Sequence, residues 1–381
     1  MGVWRVTPDT HSFARTMTSR LALACALGLA AARPLVAQDP DDAIRVNQVG
    51  YLTDARKVAV LCALGSRAVS TFDVIDAKGR RVLGPKHVTA AGAFGPCVET
   101  YRLDFSVLRI PGSYRVRAGD LTSPELRIGA DVWNGLADVP LRYMRQQRSG
   151  WNPVFNAPVH TKDGILVDHP TRAGEFIPAS GGWADASDYL QYVTTSATAT
   201  FQMLQAWRDH PRAFGDEHQA DGRVGANGIP DVLDEARHGL AWLLKMFPDD
   251  SLMLNQLGDD RDHMFFDVPV KDSSDYGWGK GGPRPLYPCT GIAQGLLRYQ
   301  NRATGYASTA GKFAAAFALG AQLLGAREPA LADTLRRKAR AAYALGEKYP
   351  GACQTAPARG PYFYEEDDWA DDMELGAASL Y

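Results

Sequence analysis

The sequence predicts a protein of two domains, an all-β sandwich followed by an all-α domain. Residues 44–128 contain short runs rich in β-branched and aromatic residues, separated by turn sequences such as Pro111-Gly112. After Asp131 the apolar residues recur at helical spacing instead. The chain has 381 residues, of which 45% are hydrophobic, so two domains with separate cores can form.

Residues 1–38 have the pattern of an export signal. Arg15 and Arg20 precede the apolar run LALACALGLAA, and Ala37 offers a small residue at a cleavage position. The run is shorter than the roughly 20 residues that a transmembrane helix needs. We therefore expect a secreted or periplasmic protein, with no membrane contact in its mature form. The formal net charge of −2 also predicts no nucleic-acid partner.

Residues 43–129 are predicted to form the β-sandwich. Their strand-like runs include RKVAVLCAL, AVSTFDVID, ETYRLDFS and SYRVRAG. About seven short strands in such a length are typical of a sandwich. Export makes disulfides permissible, so Cys62 and Cys97 in this domain either pair or remain buried thiols. The cysteine spacing shows no pattern of a structural zinc site.

Residues 131–381 are predicted to form the helical domain. The clearest helix runs from Pro230 to Phe247, because Pro230 suits the first turn and Asp231 and Asp234 suit the positive end of the helix dipole. Apolar residues such as Leu240 then share one face. The other predicted helices are 130–150, 186–207, 290–299, 309–324, 330–349 and 371–381.

The segment GGWADASDYLQY, residues 181–192, carries the clearest chemistry. It places Asp185 and Asp188 three residues apart at the start of a predicted helix, among aromatic residues. Hydrolysis of a glycosidic bond needs a carboxylate that activates water, and aromatic faces hold sugar rings. The same two carboxylates also suit a helix N-cap and first turn. Both roles are compatible at one helix start.

Four segments resemble glycoside hydrolase family 9, the inverting cellulase family, in chain order. GGWADASDY resembles its GGWxDAGDY, and ADGRVGANGIPDVLDEARHGLAWLLKM resembles its DGxxxxNGIPDxLDEARxGLxWLLKM. WADDMELGAASLY resembles a family helix that begins with an Asp-Glu pair. IRVNQVGY, from Ile44, resembles the start of the immunoglobulin-like domain that precedes many of its catalytic domains. The resemblance implies an immunoglobulin-like sandwich and an (α/α)6 barrel without an organic cofactor.

The resemblance also implies roles for individual residues. Asp188 would be the general base and Asp185 would help to hold the water, although Ser187 stands where glycine is usual. The stretch GDDRDH matches a GDxxxDH segment whose histidine, here His263, hydrogen-bonds sugar.

Aromatic residues around these segments are further candidates for sugar contact. Trp278, beside Tyr276, is the expected stacking platform, and Trp183 precedes the aspartates. Phe265 and Phe266 stand where the family often has tryptophan, and they either contact substrate or anchor their loop.

A dense acidic cluster spans residues 365–374. It indicates either a solvated helix start or a Ca²⁺ site, since calcium prefers closely spaced oxygen ligands. The resemblance implies a structural calcium there, with a further ligand beyond Tyr381. The implied ligands are Asp368, Asp371, Asp372 and Glu366.

Some members of the family also carry a zinc site just before the aspartate segment. Ser149 and Val159 stand where its cysteines would be, which leaves His160 alone. We therefore expect no zinc.

The family's general acid is a glutamate near the far end of the catalytic domain. Glu365 and Glu374 belong to the acidic helix start, and no glutamate here has a matching context. We therefore expect residues 131–381 to be half to two-thirds of a barrel that is incomplete at the C-terminus. Such a chain would carry the base but not the acid, and would be inactive alone.

The expected function is inverting, endoglucanase-like hydrolysis of β-1,4-glucosidic bonds in cellulose or related β-glucans. One alternative is hydrolysis of another β-linked polysaccharide or of a glucosamine-containing oligosaccharide. The other is a non-catalytic carbohydrate-binding protein that uses the same cleft.

Overall fold

The computed structural model describes residues 42–264, 267–360 and 364–381. The predicted export signal and the candidate residues Phe265 and Phe266 lie outside the described residues. The chain divides between Val132 and Trp133 into two compact units.

The first unit is an antiparallel β-sandwich, as the alternation of its short runs predicts. One sheet has the strand order β1-β2-β6-β5, and the other has the order β4-β3-β7-β8 with β9 also pairing with β7. Leu61 of one sheet and Val74 and Val116 of the other are fully buried in a common core. The strands are β1 (Ala43–Arg45), β2 (Val58–Ala63), β3 (Thr71–Asp76), β4 (Arg81–His87), β5 (Thr89–Phe94), β6 (Cys97–Asp104), β7 (Gly112–Ala118), β8 (Leu121–Thr122) and β9 (Leu126–Ile128).

Two disulfides join described residues, one in each unit. Cys62 and Cys97 pair across the first sheet, so of the two alternatives for these cysteines the structure contains the bridge. Cys289 and Cys353 form a second bridge over 64 residues of sequence. The sequence had not predicted that pair, because spacing alone does not show which loops of a helical domain meet.

The described residues of the second unit form six α-helices and several short strands. The helices are α1 (Val139–Gln147), α2 (Val193–Asp209), α3 (Asp231–Met246), α4 (Ala307–Leu324), α5 (Pro329–Lys348) and α6 (Ala370–Leu380). The strands are β10 (Gly150–Asn152), β11 (Ala157–Val159), β12 (Ile165–Leu166), β13 (Gln191–Tyr192), β14 (Leu254–Leu257) and β15 (Pro285–Pro288). Strands β12, β15, β14 and β13 form one mixed sheet beside the helices.

Helix α4 lies at the centre of the helical core. It is apolar on nearly all sides, and it packs against α2, α5 and α6. Gly311 permits a close contact with α6, since a Cβ there would lie 2.3 Å from the carbonyl oxygen of Asp372. None of the helices in the described ranges combines the length and hydropathy that a membrane span needs.

The prediction of helix 186–207 was wrong at its start. Helix α2 begins at Val193, because Gln191 and Tyr192 instead pair with β14. Helix α1 is likewise shorter than the predicted 130–150. Gly135 adopts a left-handed φ of 71° before it, and Pro140 occupies its first turn.

The helix predicted over 290–299 is absent from the described structure, where these residues form bends and irregular loop. Gly291 has a φ of 70°, and Gly295 lies against the backbone of Tyr299 so closely that a Cβ would not fit. The amide N–H of Gln294 donates to the side chain of Asn301 rather than to a helical carbonyl. Side-chain hydrogen bonds therefore replace the helical ones in this segment.

Candidate active site

Asp185 and Asp188 lie on a loop that precedes β13, not on a helical face. The amide N–H of Asp185 donates to the carbonyl of Leu190 at 2.8 Å, which closes the loop on itself. The side-chain amide of Gln147, at the end of α1, donates to the carbonyl of Ala186 at 2.5 Å. The predicted N-cap role is therefore wrong. The two carboxylates lie on a loop that is held by the bond between Asp185 and Leu190 and by the bond from Gln147 to Ala186.

A histidine from a distant segment holds the second carboxylate. Nε2 of His263 donates to Oδ2 of Asp188 at 2.8 Å. The side chain of Asp188 is 17% exposed and that of His263 is 25% exposed, so solvent still reaches the pair. This arrangement fixes the direction of a carboxylate that remains accessible, which is what a general base requires.

The first carboxylate is held by Tyr364. Its hydroxyl donates to Oδ2 of Asp185 at 2.6 Å, and its ring meets Tyr192 edge-on at 5.1 Å. Burial, followed by this hydrogen bond to Asp185, raises the pKa of Tyr364, so the phenol stays a donor at neutral pH. Sequence reasoning missed Tyr364, because 179 residues separate it from its partner.

The backbone beside the candidate base is held by Asp262, the residue before His263. Its Oδ2 accepts the amide N–H of Tyr189 at 2.9 Å, and the side chain is 1% exposed. Burial, and next the nearby Asp188 carboxylate, raise the pKa of Asp262 to about 8. Asp262 and His263 are thus consecutive residues that hold the consecutive residues Tyr189 and Asp188.

A buried arginine, Arg284, binds the backbone of the loop that carries Asp185 and Asp188. The guanidinium of Arg284 binds the carboxylate of Asp163 through two hydrogen bonds of 3.0 and 2.8 Å. It also donates to the carbonyl of Tyr189 and to the side chain of Gln191. A planar guanidinium is suited to such a set of fixed acceptors. The site thus rests on a rigid polar network that the sequence pattern did not reveal.

Two of the predicted sugar contacts are core residues instead. Trp183 is 3% exposed, and its indole N–H donates to Oε1 of Glu235 at 2.8 Å. Tyr276 is 4% exposed beneath the guanidinium of Arg261. Neither ring offers a free face, so stacking of sugar on them does not fit the structure. Trp278 is 40% exposed on its loop, and its role in sugar binding remains a prediction.

A pocket of about 330 Å³ opens beside Asp188. His160 lies in its wall and donates from Nε2 to Asp272 at 3.0 Å. Ser149 and Val159, at the positions where cysteine would complete a zinc site, also line this pocket.

The four predicted calcium ligands do not converge on one point. Asp368 accepts the amide N–H groups of Trp369 and Ala370 at the start of α6, and Asp371 is exposed. Among the described residues, no group of three or more His, Cys, Asp and Glu side chains is placed to hold a metal ion. Glu366 and Asp372 do meet, but around the side chain of Lys312.

The comparison with known families agrees with this geometry. The model of glycosyl hydrolase family 9 matches residues 133–381, which is the whole of the helical unit. The chain belongs to this family. A second model, that of the cellulase N-terminal ig-like domain, matches residues 39–123 and confirms the immunoglobulin-like character of the first unit.

Two known proteins are similar to this chain at moderate identity. Endoglucanase C of Cellulomonas fimi is 30% identical over 385 residues, which cover 92% of this chain and 33% of that protein. A xyloglucan-specific endo-beta-1,4-glucanase of Bacteroides ovatus is 30% identical over 246 residues, which cover 60% of this chain and 39% of that protein. The chain therefore spans between 33% and 39% of the length of these two relatives.

A solved structure extends the likeness to the fold. The crystal structure of a metagenome-derived glycoside hydrolase family 9 endoglucanase superposes with a TM-score of 0.68 at 29% identity. The match covers 89% of this chain and 61% of that one.

Proposed function

We propose that this chain contributes to the hydrolysis of β-1,4-glucosidic bonds in glucans with inversion of configuration, and that Asp188 is the general base. The observation that carries the proposal is the pair of accessible carboxylates on one loop, each held by a directed donor. His263 holds Asp188 and Tyr364 holds Asp185. Such fixed support is what a preorganised functional site needs.

In the proposed reaction, Asp188 takes a proton from a water that attacks the anomeric carbon. His263 keeps Oδ2 of Asp188 occupied, and we propose that the buried Oδ1, which has no hydrogen-bond partner among the described residues, accepts the proton of the water. Asp185, oriented by Tyr364, accepts the second hydrogen bond of that water. An inverting enzyme also needs an acid about 6.5–9.5 Å from the base, on the opposite side of the bond. We assign no described residue to that acid, and propose that this chain supplies the water-activating half of the reaction.

The helical unit is proposed to be part of an (α/α)6 barrel, with the loop of Asp185 and Asp188 at one end of it. Trp278 is the proposed platform for an apolar sugar face, because its ring is exposed. Export to the periplasm or medium is supported by the two disulfides, since such bonds persist in oxidising compartments.

The names of the two relatives narrow the proposed substrate. One is an endoglucanase and the other is described as xyloglucan-specific, and both fit a β-1,4-linked glucan backbone. A branched glucan is therefore the second candidate substrate. Initial rates on unbranched cello-oligosaccharides and on xyloglucan, measured side by side, distinguish the two.

The role of Asp188 is tested by the Asp188→Asn and Asp188→Gly variants of the protein in a form that cleaves glucan. Loss of a general base lowers kcat by roughly 10²–10⁴-fold, while oligosaccharide binding and Tm stay close to the parent values. Azide should restore cleavage in the glycine variant by replacing the activated water, and the first product seen by NMR should have the α configuration. Unchanged turnover in Asp188→Asn, or a β product from the parent enzyme, would contradict the proposal.

A further inference from the structure

We propose that the ammonium group of Lys312 takes the place of the calcium ion that the sequence predicts at the start of α6. In this chain a covalently attached cation would then join α4 to α6, and no divalent ion would be needed there.

The geometry of the ammonium group is that of a bound cation. Nζ of Lys312 lies 2.6 Å from Oε1 of Glu366 and 2.5 Å from Oδ2 of Asp372. It also donates to the carbonyl of Ser308, at 3.4 Å. The three charged side chains are between 12% and 22% exposed, so water screens this group only in part. Charge-assisted hydrogen bonds of this length are among the strong ones.

Close packing of the two helices brings the charges together. A Cβ at Gly311, the residue before Lys312, would lie 2.3 Å from the carbonyl oxygen of Asp372. The first turn of α6 therefore rests directly on α4 at this glycine. Any larger side chain at position 311 would move Asp372 away from the ammonium group. The ion pair of Lys312 therefore depends on the glycine beside it.

The remaining predicted ligands do not complete a calcium shell. Asp368 is engaged by the backbone of the helix start, and Asp371 is exposed. Calcium takes six to eight oxygen ligands at 2.3–2.6 Å. An ammonium group between Glu366 and Asp372 occupies that space and repels a second cation strongly at such a distance.

Removal of the ammonium group should recreate the metal site. The carboxylates of Glu366 and Asp372, the carbonyl of Ser308, and the hydroxyl of Thr194, which donates to Glu366 at 3.3 Å, would then surround an empty space. These are hard oxygen donors of the kind that calcium prefers. A neutral side chain at position 312 is therefore predicted to create dependence on calcium.

The test compares melting temperatures of the whole chain in CaCl₂, in MgCl₂ of equal ionic strength, and in EGTA. The parent protein should melt at the same temperature in all three. Lys312→Met should lose roughly 5 °C or more in EGTA, because two partly buried carboxylates lose their partner. Calcium should restore most of that loss in a saturable way, and magnesium should restore little.

Two controls make the result specific. Lys338→Met removes another lysine, one that pairs with the single carboxylate of Asp250 at 3.0 Å, so calcium should not restore its stability. Lys312→Arg retains the positive charge and should stay insensitive to calcium. Terbium luminescence, sensitised by Trp369 three residues before Asp372, should appear in Lys312→Met and not in the parent.

Two outcomes would overturn the proposal. One is a saturable calcium-induced rise of Tm in the parent protein that Asp372→Asn abolishes. The other is a Lys312→Met variant that folds and shows no response to calcium. If Lys312→Met does not fold, the titration of the parent protein with calcium and terbium still decides the question.

Discussion

Replacement of Asp262 by asparagine should flatten the dependence of stability on pH. Burial and the nearby Asp188 raise the pKa of this carboxyl to about 8, while an unfolded aspartate has a pKa of about 3.9. The folded protein therefore binds one more proton than the unfolded chain between about pH 4 and pH 8. A raised folded-state pKa makes stability highest below the unfolded pKa, and stability falls as pH rises towards the folded pKa.

The magnitude follows from the linkage relation. Each pH unit inside this window changes the free energy of unfolding by at most about 1.4 kcal/mol, so about 2.7 kcal/mol is lost from pH 5 to pH 7. Asparagine does not titrate, and its side-chain oxygen still accepts the amide N–H of Tyr189. The Asp262→Asn variant should therefore keep the loop intact and gain stability relative to the parent as pH rises.

Chemical denaturation at several pH values between about 5 and 8 measures the effect. The charged side chains that act on the pKa of Asp262 are Asp188, Arg284 and Asp272. Because other groups also titrate, the quantity to compare is the difference in the free energy of unfolding between parent and variant at each pH. Asp272→Asn is a control that should leave the slope between pH 5 and pH 8 unchanged. Burial opposes the change, but hydrogen bonds from His160 and Ser274 lower the pKa of Asp272, so its contribution is fully present above about pH 4 and is lost only as pH falls further.

A direct readout is the amide ¹⁵N shift of Tyr189, which should titrate near pH 8 in the parent and not in Asp262→Asn. Parallel stability curves for parent and variant, together with a Tyr189 amide that does not titrate in this range, would refute the reasoning.

Three further predictions concern single side chains. Tyr364→Phe should lower kcat roughly tenfold with little change in KM, because the hydroxyl orients Asp185. Steady-state kinetics on soluble glucans measure both constants. A change in KM alone would contradict this role of Tyr364. Trp278→Ala should raise KM, by an amount typical of one aromatic contact of about 1 kcal/mol, while kcat and Tm remain; unchanged binding of oligosaccharide by calorimetry would remove Trp278 from the site. Glu235→Gln should cost about 3 kcal/mol of stability in denaturant melts, because it leaves the buried Arg148 without a charged partner; a cost below 1 kcal/mol would contradict this.

Hydrophobic periodicity predicted the long helices, because the apolar pattern that forms each of them lies within its own segment of the sequence. Helices α3, α4 and α5 begin within one or two residues of the predicted positions. Helix α3 has an acidic first turn and α5 begins with a proline, while α4 is a long run of apolar, alanine-rich sequence, and none of these signals needs a distant partner. The β-sandwich followed from alternation for the same reason. The start of α2 did not, because Gln191 and Tyr192 pair with a strand that lies more than 60 residues further on.

The site divides in the same way. The sequence alone singled out Asp185, Asp188 and His263, because a motif states which chemistry a short segment carries. Only the tertiary structure showed that Tyr364 orients Asp185 and that Trp183 is a core residue held by Glu235.

The charges at the start of α6 are a further example. The sequence showed the acidic residues there, but it did not show which cation pairs with them. Lys312 lies in an alanine-rich helix whose sequence predicts only a core role. Its ammonium group binds Glu366 and Asp372, which are 54 and 60 residues further along the chain. The type and order of elements are local properties of this chain. Which charges neutralise each other depends on distances that exist only after the helices have packed.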